Sequence, residues 1–191
     1  AERGENAPIV IGGGPCAYNA EPVADFFDVF SIGEGEEALP EFTQLYIKLK
    51  SEGADRATVL REISHLDGFY VPSLYDVSYN NDGTIASYSP KYPDVPARVR
   101  KRIISDMDSS YFPDRLIMPY IETVHDRIVP EVYRGCIRGC RFCQAGMIYR
   151  PVREKSPEVL DSQCRKLYEN TGFDEISLCS LSISDYSRLG E

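Results

Sequence analysis

Three cysteines within eight residues constrain this chain more than any other feature of its sequence. Cys136, Cys140 and Cys143 lie in the stretch "YRGCIRGCRFCQAGMIYRPVRE", at spacings of four and three residues. Short loops of this kind hold iron–sulfur clusters through cysteine thiolates, and three ligands leave one metal site without a protein ligand. Gly135 and Gly139 suit a loop that bends closely around an inorganic core. The sequence therefore predicts an iron–sulfur site in this loop.

The surroundings of the cysteines support the same prediction. Arg134, Arg138 and Arg141 lie among them, and their positive charge favours thiolate over thiol. We expect the loop to join a strand that ends near Tyr133 to a helix that begins near Ser156. We also expect the three sulfurs to converge within a few ångströms even without metal.

Two other kinds of site remain open for this loop. A structural zinc site usually takes four ligands, and Cys164 or Cys179 would then be the fourth. Neither of these two belongs to a CxxC pair. The second alternative is a cluster-bearing electron-transfer or regulatory module that makes no bonds itself. Three cysteines with one open metal site favour an enzyme over such a module.

Composition narrows the class of protein further. The 191 residues carry a formal net charge of -9, which argues against a polyanion-binding surface over the whole molecule but not against a local basic site. The segment "ARVRKRI" is a candidate for contact with RNA, although no aromatic residues alternate with its charges. No apolar run approaches the roughly 18 residues of a spanning helix, and the N-terminal sequence lacks the order of a signal peptide. We expect a cytoplasmic protein without a membrane partner, in which clustered cysteines indicate metal or redox chemistry.

The chain is expected to have an α/β fold in three parts. Residues 1–53 carry two apolar runs, "PIVI" and "FDVFSI", and then an amphipathic helix, as in the C-terminal part of a Rossmann-like doubly wound domain. Residues 54–128 are typical of a proline-rich connector with a helix and a β-hairpin, because two tyrosine-rich runs flank "NNDG". Residues 129–191 have the pattern strand, loop, helix, strand. We expect the sheet of residues 8–50 to be separate from the one that begins at 129.

Two parallel strands cannot bury both of their faces, so we expect both ends of the chain to be truncated relative to a complete protein.

At the cysteine loop the sequence resembles a known superfamily. The stretch "CIRGCRFC" is similar to the CxxxCxxC motif of the radical S-adenosylmethionine (radical SAM) superfamily, and the flanking "RGC" and "RPVR" resemble its cobalamin-binding-domain class. The resemblance implies an enzyme whose Cys136, Cys140 and Cys143 hold a four-iron four-sulfur cluster. S-adenosylmethionine (SAM) would be cleaved reductively to methionine and a 5′-deoxyadenosyl radical. For residues 129–191 the resemblance implies the first βα units of a partial TIM-type barrel.

The same resemblance implies further roles. Phe142 would lie near the SAM adenine, or would instead be a packing residue that anchors the loop. The strand "ISLCSLS" stands where the superfamily contacts the methionine amine, often through glycine–glycine–glutamate, and here serines such as Ser180 replace the glycines. A reductant such as flavodoxin or ferredoxin would be a partner. Methyl transfer, methylthiolation and ring rearrangement are all compatible with the motifs, and the sequence does not identify the substrate.

A glycine-rich turn near the N-terminus suggests a second cofactor. Gly12, Gly13 and Gly14 follow a strand, and such a turn lets a ligand approach the backbone. Together with "FSIGEGE" the turn resembles the last third of the cobalamin-binding domains that precede many radical SAM domains, where glycines line the nucleotide tail. The resemblance thus implies cobalamin, in a fragment that spans the end of that domain and the start of the radical SAM domain. A cobalt-liganding histidine has no counterpart, since His65 and His125 both lie downstream, and a Rossmann-like domain that no longer binds cobalamin is the alternative.

Overall fold

The computed structural model describes residues 3–121 and 123–191. Within these ranges the chain divides into two compact units, the first ending at Ile104 and the second beginning at Ser105. The α-helices of the described residues are Gly35–Ser51 (α1), Arg56–Ile63 (α2), Ala145–Ile148 (α3) and Pro157–Thr171 (α4). The β-strands are Ile11–Gly12 (β1), Val29–Ser31 (β2), Phe69–Tyr70 (β3), Tyr75–Tyr79 (β4), Ile85–Pro90 (β5), Tyr133–Arg134 (β6) and Arg153–Glu154 (β7). Residues 1, 2 and 122, which fall in the predicted parts 1–53 and 54–128, lie outside the described residues.

The first unit contains a small mixed sheet with the strand order β1-β2-β3. β1 is parallel to β2, with Ile11 opposite Val29. β2 is antiparallel to β3, with Phe30 opposite Tyr70. The apolar runs of the sequence anticipate the parallel pair but not the third strand, because no local signal says which neighbour β3 will join. A doubly wound domain remains a prediction.

One hydrophobic core holds the first unit together and continues past residue 53. Phe42 of α1 packs on Phe69 of β3, with ring centroids 5.4 Å apart. Val59 and Ile63 of α2 are almost completely buried in the same core. The packing therefore does not divide at residue 53, because short strands need the apolar faces of both helices to cover them.

A tyrosine-rich hairpin packs onto this core. β4 and β5 pair antiparallel around the "NNDG" turn, as that turn signal predicts. The ring of Tyr75 lies 5.1 Å from that of Tyr70 and 4.8 Å from that of Tyr88. The Tyr70 and Tyr79 hydroxyls both donate to the Glu21 carboxylate. Burial, followed by the hydrogen bond to Glu21, raises the pKa of the Tyr70 phenol above its usual range.

The end of the first unit is held against the turn that follows β2. Arg102 donates its N–H to the Ile32 carbonyl at 2.8 Å and accepts from the Glu34 N–H at 3.1 Å. Its guanidinium also binds the carboxylates of Glu37 and Glu41 on α1. Gly33 lies between Ile32 and Glu34, the two residues whose backbones bond to Arg102, and has a φ of +112°. We call this arrangement the Arg102 latch.

The second unit contains the strand, loop and helix order that its sequence predicts. Residues 128–132 pair in parallel with residues 175–179 through backbone hydrogen bonds of 2.8–2.9 Å, and β6 pairs antiparallel with β7. α4 begins as its sequence indicates, since the Ser156 hydroxyl accepts from the Val159 N–H and Pro157 occupies the first position. The fully buried Val132 and Leu167 lie on these elements. Among the described residues, the sheet of the first unit and the strands of the second are separate.

The described part of the chain contains no helix of the length and apolarity needed to cross a membrane.

Candidate metal centre

The cysteine loop follows β6 and precedes α4, as the sequence predicts, but it does not join them directly, because α3 and β7 lie between the loop and α4. Gly135 opens the loop with φ of +99°, a backbone region that residues with a Cβ rarely adopt. A Cβ at this position would lie 2.7 Å from the Pro151 carbonyl oxygen and 2.9 Å from that of Tyr149. These atoms belong to the backbone just before β7, so they cannot move without shifting the β6–β7 pair. Glycine therefore fixes the path by which the chain enters the loop.

Gly135→Ala is expected to destabilise the second unit by about 2–4 kcal/mol, because it combines an unfavourable φ with overlap on backbone atoms. Urea unfolding followed by circular dichroism measures the change. Gly172→Ala is the matched control, since Gly172 also has a positive φ of 74° but open space where its Cβ would lie, and it should cost only about 1 kcal/mol. Equal losses for the two variants would contradict the importance of the contacts at Gly135.

The three cysteines share one loop, but their thiols do not form a ready-made site. All three are free; Cys136 and Cys143 are partly buried and Cys140 is exposed. The Cys143 N–H donates to the Cys140 carbonyl at 3.0 Å, closing a turn. In the described residues, however, no group of three or more His, Cys, Asp or Glu side chains is arranged to hold a metal ion. The expectation that the sulfurs converge without metal is therefore wrong, because loop backbone alone does not gather ligands that metal binding would otherwise hold together.

The same result bears on the zinc alternative. A four-ligand set with Cys164 or Cys179 is not assembled among the described residues either. Burial raises the pKa of the Cys164 thiol on α4, which disfavours the thiolate that a metal needs. Cys179 is exposed, and so is Cys16 in the first unit. Cys136, Cys140 and Cys143 thus remain distinguished by sharing one loop.

The arginines around the cysteines differ in their partners. Arg134 makes two hydrogen bonds to the Glu131 carboxylate, at 3.0 and 2.7 Å. Arg138 binds Asp185 through both guanidinium nitrogens that face it. Arg141 has no hydrogen bond or ion pair within the described ranges. The positive charge that the sequence suggests is therefore largely neutralised at two of the three positions.

A cavity of about 290 Å³ lies beside the loop. The Ser180 hydroxyl oxygen, on a residue that lines this cavity, is buried and has no hydrogen-bond partner in the described part of the chain. Such an atom is costly unless a ligand or water satisfies it. The residues that line the cavity are Glu131, Tyr133, Arg134, Gly135, Tyr149, Cys179, Ser180 and Leu181.

Phe142 extends into solvent, with 92% of its surface exposed. An anchoring side chain would be buried against its neighbours. The packing alternative for Phe142 is therefore not supported, and its ring is free to contact a ligand.

The glycine-rich turn of the first unit is explained in part by packing. A Cβ on Gly12 would lie 2.9 Å from the Phe30 ring, so a small residue is needed there whether or not a ligand binds. Gly13 and Gly14 are exposed. His65 lies 3.5 Å from the Asp94 carboxylate. These residues offer an open turn but no ligand for cobalt, so cobalamin remains a prediction from resemblance.

Comparison with known proteins adds information from a different part of the chain. Residues 1–72 match the family described as "Radical SAM proteins, N-terminal". The match supports a place for the chain in the radical SAM superfamily, and it lies wholly outside the cysteine loop. The motif at residues 136–143 and the family match at 1–72 are therefore separate indications of one superfamily.

One relative aligns with nearly the whole chain. It is an uncharacterized protein of Methanocaldococcus jannaschii, 27% identical over 184 residues, which cover 96% of this chain and 34% of the relative. The chain thus spans about a third of the length of that protein.

Proposed function

We propose that this chain is part of a radical SAM enzyme in which Cys136, Cys140 and Cys143 hold a four-iron four-sulfur cluster. The observation that carries the proposal is the position of the three-cysteine loop between a strand and a helix, beside a cavity lined in part by Ser180, whose hydroxyl has no hydrogen-bond partner among the described residues. The family match at residues 1–72 supports the same class from outside the loop. When bound, the cluster supplies the electron for reductive cleavage of SAM to methionine and a 5′-deoxyadenosyl radical.

The residues around the loop are proposed to bind and orient SAM. The buried Ser180 hydroxyl would gain a polar partner from it. The exposed Phe142 ring would cover the adenine, which also excludes water from one side of the ligand. The partial barrel proposed for residues 129–191, together with the rest of the longer protein, would complete the substrate site.

Methyl transfer and methylthiolation are the candidate reactions on the substrate. Flavodoxin or ferredoxin is the proposed source of electrons. We do not propose a nucleic-acid substrate, because Arg102 in the basic segment is already paired with Glu37 and Glu41.

The test is whether the full-length protein, reconstituted anaerobically with iron and sulfide and reduced with dithionite, converts SAM to 5′-deoxyadenosine and methionine. We expect both products from the wild-type protein and neither from a variant in which all three loop cysteines are alanine. A protein that binds iron and sulfide but leaves SAM intact would be the electron-transfer or regulatory module instead. A protein purified with zinc that takes up no iron would favour the structural zinc site.

A further inference from the structure

Arg138 and Asp185 link the cysteine loop to another part of the second unit. The Arg138 Nε donates to Asp185 Oδ2 at 2.7 Å, and a terminal guanidinium nitrogen donates to Oδ1. Two parallel hydrogen bonds of this kind fix orientation as well as distance. The Asp185 side chain is only 12% exposed, whereas that of Arg138 is 57% exposed. The carboxylate is thus the fixed member of the pair and the loop arginine the member that it holds.

Asp185 is fixed because the segment around it, residues 182–187, is tied to both strands of the β6–β7 pair. The Tyr133 hydroxyl donates to the Ser182 carbonyl. The Tyr186 hydroxyl donates to the Lys155 carbonyl at 2.8 Å, and the Tyr186 ring stacks on that of Tyr133 with centroids 6.4 Å apart.

The C-terminal side of the segment is tied as well. The Ser187 N–H donates to the Glu154 carboxylate at 3.0 Å, and the Ser187 hydroxyl donates to its other oxygen. With bonds on both sides, Asp185 has little freedom to follow Arg138 if the loop moves.

Arg138 lies between two of the three loop cysteines in sequence and close to both in space. The Arg138 backbone N–H donates to Cys136 Sγ at 3.5 Å. Its guanidinium is near enough to the Cys136 and Cys140 thiols to interact with them electrostatically. The side chain therefore sets both the path of the loop and the charge beside its sulfurs.

We infer that Asp185 is a positioning residue for the cluster ligands, acting through Arg138 to hold the cysteine loop and to offset positive charge beside its thiols. The effect of Asp185 on the cluster rests on the proposed function, whereas its effect on the loop does not. We call the pair the Arg138–Asp185 clamp. Sequence reasoning misses it, because 47 residues separate the partners and no motif links them.

The first part of the test uses the metal-free protein. Hydrogen–deuterium exchange is measured for peptides covering residues 136–144 in wild type, in Asp185→Asn and in Arg141→Gln. Arg141→Gln is the control for a change of charge near the cysteines, since Arg141 is in the same loop as Arg138 and carries the same positive charge, but has no partner in the described residues. We expect exchange to be about threefold faster in Asp185→Asn and unchanged in the control. A change of this size corresponds to the loss of the small free energy that a partly exposed ion pair contributes.

The second part uses the reconstituted protein and a double variant that exchanges the charges, Arg138→Asp with Asp185→Arg. The exchanged pair should restore slow deuterium exchange in the loop. It also places a negative charge beside the sulfurs, so the midpoint potential of the cluster should fall below that of wild type. In Asp185→Asn the arginine charge is no longer offset, and the potential should rise. A residue with a merely structural role would not change the potential in opposite directions in these two variants.

The outcomes separate the clamp from the proposed function. If the wild-type protein takes up no iron but Asp185→Asn still loosens the loop, the proposed function fails and the clamp stands as a feature of the fold. If iron binds and Asp185→Asn matches Arg141→Gln in exchange and in potential, the clamp is wrong and the proposed function stands.

Discussion

Replacing Cys140 with alanine is expected to reduce the iron affinity of the reconstituted full-length protein by more than about 100-fold, since even residues behind a metal ligand account for 10–100-fold. Cys136→Ala and Cys143→Ala should behave alike, because each removes one of three thiolates from one loop. Anaerobic reconstitution followed by iron and sulfide analysis measures the loss, and the visible absorbance of the cluster provides a second readout.

Cys164→Ala and Cys179→Ala are the matched controls, and both should keep the wild-type iron content. Cys164 is partly buried on α4 with a raised thiol pKa, and Cys179 lies outside the loop, in the segment that pairs with residues 128–132. If either variant loses iron as completely as Cys140→Ala, the assignment of three ligands is wrong and a four-cysteine site takes its place.

Gly33→Ala is expected to destabilise the first unit by about 3–5 kcal/mol. Its Cβ would lie 2.2 Å from the Arg102 carbonyl oxygen and 2.6 Å from the Arg102 nitrogen, and a φ of +112° is itself unfavourable for alanine. The Arg102 latch would have to open, which breaks two backbone hydrogen bonds. Urea unfolding followed by circular dichroism gives the free energy of unfolding.

Gly53→Ala provides the comparison for the latch. Gly53 has φ of +77° but nothing within 4 Å of the added Cβ, so its cost should be only about 1 kcal/mol. The difference between the two variants isolates the contact with Arg102. A Gly33→Ala protein as stable as Gly53→Ala would mean that the segment at Arg102 is not held in solution.

Features with local signals could be predicted from the sequence. The N-cap at Ser156 needs only a serine before a proline and an amphipathic run, and the structure has the cap where expected. The hairpin at "NNDG" is likewise a local signal and is present. The loop position of the three cysteines follows from the strand and helix patterns on either side. In each case the stabilising contacts lie within a few residues of the signal.

Features that depend on distant partners could not be predicted. β3 joins β2 antiparallel across about forty residues of intervening chain, and Arg138 finds Asp185 far along the sequence. The thiol positions also escaped prediction, since cysteine spacing describes the ligands of a bound metal and not the metal-free loop. Sequence spacing thus identified the candidate ligands, while their arrangement depends on tertiary contacts and on the metal.

The tyrosine cluster beside Glu21 gives the first unit an optical signal of its own. The sequence has no tryptophan and thirteen tyrosines, so its near-ultraviolet absorbance comes mainly from phenol rings. Burial raises the pKa of the phenols of Tyr70, Tyr75 and Tyr88, and these rings therefore stay un-ionised in alkali at which solvent-exposed tyrosines already absorb as phenolate. The fraction of phenolate at a fixed alkaline pH consequently reports whether the β4–β5 hairpin remains packed against the core of the first unit, without any added dye or label.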